Sequence, residues 1–155
     1  MISDSLLKGV YLFADLSAEE RARLAKIAES MNLPAGFGIF SAGDEATALY
    51  LIKDGSVRIT THAPNGAQID VATLASGSHF GEMALLDGAK RSAGAETLEP
   101  AAIFRFDYDK IRSLLDRSPP IASRFYRSLA RFLSNRLRQT TTDMSFARER
   151  NLRHF

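Results

Sequence analysis

The residues best suited to chemistry lie in one short stretch, Phe80–Ala93, with the sequence FGEMALLDGAKRSA. This stretch places the carboxylate of Glu82 and the guanidinium of Arg91 nine residues apart, across an apolar turn flanked by glycines. A carboxylate can accept hydrogen bonds from sugar hydroxyls, and a guanidinium can hold a phosphate through two parallel hydrogen bonds. The stretch therefore predicts a site for a ligand that carries a sugar and one compact phosphate.

Size and composition limit the class of protein that carries this stretch. The chain has 155 residues, enough for one well-packed domain and too few for two ordinary ones. It contains no cysteine, which excludes disulfides and zinc–thiolate sites. The N-terminus lacks the pattern of a secretory signal, and no apolar run approaches the roughly 18 residues of a membrane span. We expect a cytoplasmic protein that does not meet a membrane.

Charge is distributed unevenly along the chain. Residues 1–104 contain eight Lys and Arg against thirteen Asp and Glu, whereas residues 105–155 contain twelve against five. An acidic body is thus followed by a basic segment. That segment either meets an anionic partner or carries arginines that are simply solvated on an exposed helix face.

The first third of the chain has the pattern of helices. Ser3 or Asp4 caps a short segment, and Ser17 with Glu20 three residues later forms a capping box. The helix that begins at this box is predicted to continue until Pro34 stops it. Its apolar residues recur at helical spacing: Leu24, Ile27, Ala28 and Met31.

The middle of the chain changes to short β-rich runs separated by glycines. Asp54-Gly55 and Asn65-Gly66 are strong turn signals, because glycine adopts a positive φ at little cost. Many short strands with frequent turns indicate an all-β sandwich or barrel, and too little helix lies between them for a parallel α/β sheet. We predict a small antiparallel β jelly roll with flanking helices. Its predicted strands are Phe37–Phe40, Leu49–Ile52, Val57–Thr61, Ile69–Leu74 and Ala102–Phe106.

The last third returns to a helical pattern. A short helix is predicted at Tyr108–Leu115, followed by a long one from Pro120 to about Met144. The long helix carries an apolar stripe at steps of three or four, which either packs on the jelly roll or pairs with a second copy of the chain. The stripe consists of Ile121, Phe125, Leu129, Phe132, Leu133 and Leu137.

These patterns predict one domain over residues 1–145. Within it we expect N-terminal helices over about residues 3–31, the jelly roll over about 32–106 and two C-terminal helices over about 107–145. Residues 146–155 are predicted to form a basic, flexible tail.

The Phe80–Ala93 stretch resembles the phosphate-binding cassette of the cyclic nucleotide-binding domain family, which includes catabolite activators and protein kinase A regulatory subunits. The resemblance rests on Phe80-Gly-Glu-Met-Ala-Leu and Arg-Ser-Ala at the family's spacing, and with the surrounding scaffold it covers roughly residues 5–140. It implies a non-catalytic sensor whose ligand is a cyclic nucleotide, cAMP in preference to cGMP, with no further cofactor.

The resemblance also implies roles for individual residues. Arg91 would pair with the oxygens of the cyclic phosphate, with Ser92 as a hydroxyl donor, and Glu82 would accept the ribose 2′-hydroxyl. A glycine before Glu82 would let the backbone approach the sugar, and two backbone N–H groups after it would face the phosphate. The implied phosphate and ribose contacts are Gly81, Glu82, Met83, Ala84, Arg91 and Ser92.

The purine is implied to lie on an apolar wall, with a cap from the long helix. Arg136 is the candidate for the cap, where a guanidinium would stack over the base; the alternative is an exposed arginine without a role. Ordinary core packing is the alternative for each wall residue. The implied purine contacts are Ile59, Val71, Met83, Leu85 and Arg136.

The sequence contains no pattern typical of an enzyme. A metal site on a jelly roll would need a His-x-His pair, but His62, His79 and His154 are scattered. The chain ends without room for the helix-turn-helix domain of the transcription-factor branch. We therefore expect a stand-alone sensor that signals through its C-terminal helix to an unknown protein effector or within a homodimer. The alternatives are direct DNA binding through the basic helix and a structural dimer with a vestigial pocket.

Overall fold

Eight strands form two four-stranded antiparallel sheets in the computed structural model, which describes residues 1–153 and the side chains of residues 1–149. The strands are β1 (Glu29–Leu33), β2 (Gly38–Phe40), β3 (Ala48–Asp54), β4 (Val57–His62), β5 (Gln68–Leu74), β6 (His79–Phe80), β7 (Gly94–Thr97) and β8 (Ala101–Asp107). Their order is β1-β8-β3-β6 in the first sheet and β2-β7-β4-β5 in the second. The predicted antiparallel jelly roll is confirmed, with all five predicted strands.

Helices precede and follow the jelly roll in sequence, and one short helix lies between β6 and β7. They are α1 (Asp4–Lys8), α2 (Ala18–Ala25), α3 (Met83–Asp87), α4 (Tyr108–Arg117) and α5 (Pro119–Arg153), with a short 3-10 helix at Tyr11–Phe13. The hydroxyl of Ser3 accepts a hydrogen bond from the backbone N–H of Leu6, and Ser17 and Glu20 form both hydrogen bonds of a capping box. Both predicted helix starts are thereby confirmed.

The prediction that the second helix continues to Met31 is wrong. Helix α2 ends at Ala25, and Glu29–Leu33 is a strand that pairs with β8 from Glu29 opposite Arg105 to Leu33 opposite Ala101. Local spacing of apolar residues suits a helix here, but the edge of the first sheet supplies a complete set of backbone partners. The short strands β6 and β7 were not predicted either.

Helix α5 is longer than the sequence pattern indicated. It was predicted to end near Met144, with a flexible tail from residue 146, but it continues to Arg153. Neither glycine nor proline interrupts it after Pro120. Residues 154 and 155, with His154 among them, lie outside the described part of the chain.

Strand β3 is buried on both faces and separates two cores. Leu49 and Leu51 point to the helices, whereas Tyr50 and Ile52 point into the interior of the jelly roll. This alternation follows from the two-residue period of a strand. The cassette Phe80–Ala93 is therefore attached to a scaffold that is packed on each side.

The first half of α5 packs on this scaffold. Ile121, Phe125 and Leu129 are fully buried, and the ring of Phe125 stacks on that of Phe13 at a centroid distance of 6.3 Å. Arg124 forms an ion pair with Glu20 of α2, which adds a polar link at the same surface. Of the two alternatives for the apolar stripe, packing on the domain holds for this half of the helix.

Among the helices of the described residues, none combines the length and the apolar character that crossing a membrane demands.

Candidate functional site

A cavity of about 370 Å³ lies between the second sheet, the cassette and helix α5. Its volume is within the range of small-ligand sites in proteins. All of the predicted site residues except Leu85 line it. The lining includes the predicted residues Ile59, Val71, Gly81, Glu82, Met83, Ala84, Arg91, Ser92 and Arg136.

Glu82 lies in the cavity wall, between the end of β6 and the start of α3. Gly81 before it has a φ of 80°, a conformation that favours glycine and turns the chain from the strand into the short helix. The Glu82 residue is only 1% exposed, yet its Oε1 atom has no hydrogen-bond partner within residues 1–149, whose side chains the structure describes. A buried carboxylate oxygen without a donor is costly, so this atom is suited to accept a hydrogen bond from a ligand.

Arg91 is also buried, and neutral groups hold its guanidinium. Nη1 donates to the carbonyl of Gly81 at 3.0 Å and to the hydroxyl of Tyr108 at 3.2 Å. Nη2 donates to the carbonyl of Ala48 at 2.6 Å. The guanidinium carbon lies 4.0 Å from the centroid of the Phe40 ring, within the range of a cation–π contact.

No carboxylate of the described residues forms an ion pair with Arg91 within 4.0 Å. Among the described residues its hydrogen-bond partners are neutral oxygens, and its buried Nε atom has no partner. Burial raises the pKa of the Tyr108 hydroxyl, with the Arg91 guanidinium opposing it, so the phenol stays neutral and donates to the carbonyl of Gly81. A buried cation without a carboxylate partner is suited to bind an anion.

The apolar part of the cavity wall comes from β4, β5 and the start of α3. Val71 and Met83 are each 51% exposed, although both are large apolar side chains, and Ile59 is partly buried beside them. Leu85 is placed differently from the prediction: it is 6% exposed and belongs to the core beneath the helices. On a one-turn helix, residues 83 and 85 point in different directions, so only one of them can face the cavity.

Arg136 reaches the cavity from helix α5. Its Nη1 atom lies 4.0 Å from Oε1 of Glu82, and its guanidinium carbon lies 5.7 Å from the ring centroid of Phe132. The side chain is half exposed. Helix α5 thus contributes a cation at the mouth of the cavity, above the carboxylate.

Sequence patterns did not mark Phe40, His79 or Tyr108 as functional, although all three contact the anchors or the cassette. Phe40 lies under the Arg91 guanidinium, Tyr108 donates to the cassette backbone, and His79 lies beside Glu82. Phe40 and Tyr108 are separated from Arg91 by 51 and 17 residues along the chain. No local pattern marks such contacts, because folding alone brings these residues together.

The fold and the cavity define a ligand-binding domain, an antiparallel jelly roll with one buried cationic anchor and one buried acidic anchor. The family model for the cyclic nucleotide-binding domain matches residues 30–118, which include every strand except the first residue of β1. The chain belongs to the cyclic nucleotide-binding domain family.

Similar proteins support this assignment at the level of sequence and fold. The chain is 37% identical over 151 residues to the cyclic AMP receptor protein of Thermus thermophilus, covering 94% of this chain and 67% of that protein. The crystal structure of the Thermus thermophilus catabolite activator protein superposes with a TM-score of 0.77 at 32% identity, over 88% of this chain and 62% of that one.

A third relative is a much longer protein than this chain. An uncharacterized NTE family protein of Mycobacterium tuberculosis is 32% identical over 127 residues, which are 82% of this chain and 21% of that protein. The chain therefore spans about a fifth of the length of this relative.

Proposed function

We propose that this chain is a non-catalytic sensor that binds a cyclic nucleotide, preferentially cAMP, in the cavity between the cassette and helix α5. One observation carries the proposal: a buried carboxylate and a buried, unneutralised guanidinium line the same cavity, and each has a polar atom without a partner. A cyclic nucleotide presents complementary groups, a ribose 2′-hydroxyl and one anionic phosphate.

The phosphate is assigned to Arg91. A charged guanidinium among neutral carbonyls gains a charge-assisted hydrogen bond when a phosphate oxygen reaches it. The hydroxyl of Ser92, exposed on the cavity wall, and the backbone N–H groups of Met83 and Ala84 would donate to the same phosphate.

The ribose is assigned to Glu82. Its unbonded Oε1 atom would accept the 2′-hydroxyl, which a 3′,5′-cyclic nucleotide leaves free. Gly81 carries no Cβ at this point, and an added Cβ would lie 2.8 Å from Nη1 of Arg91. Gly81 thereby lets the two anchors share one small site.

The base is assigned to the wall of Ile59, Val71 and Met83, with Arg136 above it. The half-exposed Val71 and Met83 would be covered by a purine, which supplies the apolar contact that they lack. The preference for cAMP over cGMP is supported by the similarity to a protein named as a cyclic AMP receptor.

Calorimetric titration of the chain with cAMP, cGMP and 5′-AMP tests the proposal. We expect saturable binding of cAMP, weaker binding of cGMP, and binding of 5′-AMP weaker by about tenfold or more, because an open phosphate does not present the compact geometry of the ring. A lack of binding to both cyclic nucleotides would overturn the proposal. Tighter binding of cGMP would overturn the base preference alone.

The output of the sensor is proposed to pass through helix α5. This helix contributes Arg136 to the cavity and places the ring of Phe132 against His79, with ring centroids 4.4 Å apart. A ligand that contacts both the cassette and α5 stabilises the arrangement in which they lie close together.

Hydrogen exchange measures this coupling. We expect amide protection after Leu129 in α5 to increase at saturating cAMP, while protection in α1, remote from the cavity, stays the same. Unchanged protection throughout α5 would contradict a signalling route through this helix.

A second copy of the chain is proposed as the partner of an exposed apolar stripe along α5. Tyr126, Leu137 and Met144 are 42%, 68% and 62% exposed. With Ala130 and Leu133 they form one stripe at steps of four, three, four and seven residues, which is the spacing of a coiled-coil seam. Burial of this stripe against its copy would give a homodimer.

Direct DNA binding through the basic helix is not proposed. Three arginines of α5, Arg124, Arg131 and Arg136, lie within 4.0 Å of carboxylates of the domain. Part of the positive charge of the helix is therefore balanced by the protein itself, and no described feature favours a nucleic acid over a cyclic nucleotide.

A further inference from the structure

His79 is a buried imidazole without a hydrogen bond to any described residue. It lies on β6 opposite Leu51 of β3, and its side chain is 3% exposed. Neither Nδ1 nor Nε2 has a partner among the described residues. Buried polar atoms are almost always paired, so an imidazole in this place calls for a physical reason.

The neighbours of His79 supply that reason. On one side, Nδ1 lies 3.6 Å from Oε2 of Glu82. On the other side, the imidazole ring packs against Phe132 of α5, inclined by 54°. His79 therefore fills the space between the acidic anchor of the cavity and the long helix.

The two oxygens of the Glu82 carboxylate have different surroundings. Oε2 is the atom near His79, whereas Oε1 is the atom without a hydrogen bond, 4.0 Å from Nη1 of Arg136. A small rotation that shortens the Nδ1–Oε2 distance to about 3 Å would make a hydrogen bond. Such a bond restricts the rotation of the carboxylate and leaves Oε1 for another donor.

We propose that His79 is a positioning residue for ligand recognition, which holds Oε2 of Glu82 so that Oε1 accepts the ribose 2′-hydroxyl. The inference rests on the proposed function, because it assigns the ligand's hydroxyl to this carboxylate. Phe132 supports the imidazole from behind, so the orientation of the carboxylate depends on helix α5. His79 itself does not touch the ligand.

Two substitutions distinguish the effect of the Nδ1 donor of His79 from the effect of its ring. His79→Phe keeps a ring against Phe132 and removes the Nδ1 donor. His79→Asn keeps a nitrogen donor near the position of Nδ1 and removes the ring. Calorimetric titration of the parent and both variants with cAMP and 2′-deoxy-cAMP then measures how much affinity each protein gains from the 2′-hydroxyl.

The parent is expected to bind cAMP about tenfold or more tightly than 2′-deoxy-cAMP, as befits a hydrogen bond to a charged group. In His79→Phe this preference is expected to fall by about threefold to tenfold, and in His79→Asn it is expected to be retained. A residue that only fills space would lower the affinity for both ligands equally, because it would not act through the hydroxyl.

The outcomes distinguish the inference from the proposed function. If His79→Phe keeps the full preference for cAMP over 2′-deoxy-cAMP, or if both variants lose this preference equally, the positioning role is overturned. The proposal that the chain binds cAMP is unaffected by either result. A parent that binds cAMP but does not prefer it over 2′-deoxy-cAMP would overturn the role together with the Glu82 assignment. A parent that binds neither cyclic nucleotide would overturn the role together with the proposed function.

Discussion

Replacing Arg91 by glutamine is expected to weaken cAMP binding by at least about a hundredfold, since removal of one partner from a desolvated charge pair costs on the order of 3–5 kcal/mol. Arg91 is 7% exposed and has no carboxylate partner among the described residues, so a bound phosphate is the anion that its charge would meet. Arg91→Lys is expected to recover part of the affinity, because it keeps the charge but not the planar pair of donors.

The control for this prediction is Arg58→Gln. Arg58 is also partly buried in the second sheet, but it pairs with Asp70 at 3.7 Å and with Glu96 at 3.1 Å. The charge of Arg58 is already balanced by these carboxylates. Loss of the Arg58 side chain should therefore lower stability without a specific effect on cAMP binding. Calorimetric titration measures affinity, and urea unfolding establishes that each variant is folded. Binding by Arg91→Gln within about tenfold of the parent would contradict the assignment of the phosphate to Arg91.

Replacing Leu137 by glutamate is expected to weaken self-association by at least about a hundredfold, because the substitution places two like charges opposite each other at the centre of the proposed seam. Leu137 is 68% exposed and lies midway along the stripe from Tyr126 to Met144. The parent is expected to sediment as a dimer and Leu137→Glu as a monomer. Sedimentation velocity over a range of concentrations measures both.

The matched control is Thr142→Glu. Thr142 is also exposed on α5 and takes the same change of charge, but it lies on the opposite side of the helix from the stripe. This variant should remain dimeric. Either a parent that is monomeric at all concentrations or equal effects of the two substitutions would contradict a dimer through this seam.

Most of the fold followed from local patterns in the sequence. Short β-rich runs between glycines predicted five of the eight strands, and Asp54-Gly55 predicted a turn in which Gly55 has a φ of 96°. The capping box of Ser17 and Glu20 marked the start of α2 correctly. These signals depend only on the preferences of a few neighbouring residues, so they are present before the chain folds.

The errors arose where a distant segment decided the outcome. Residues 29–33 have a helical spacing of apolar residues but form a strand, because β8 offers backbone partners that lie more than 65 residues away. The direction of Leu85 into the core, rather than to the cavity, depends on how the one-turn helix α3 sits against the scaffold. Neither fact is encoded in nearby residues.

The sequence alone determined the types of groups at the site: a carboxylate at position 82, a guanidinium at 91 and a glycine that lets the chain turn between strand and helix. Only the tertiary structure decided the burial, the charge balance and the hydrogen bonding of these groups. It surrounded Arg91 with neutral carbonyls and the ring of Phe40, and it placed His79 between Glu82 and Phe132. The physical reason is that the side-chain types follow from covalent chemistry, whereas burial, charge balance and the unpaired state of an atom depend on every segment that packs around it.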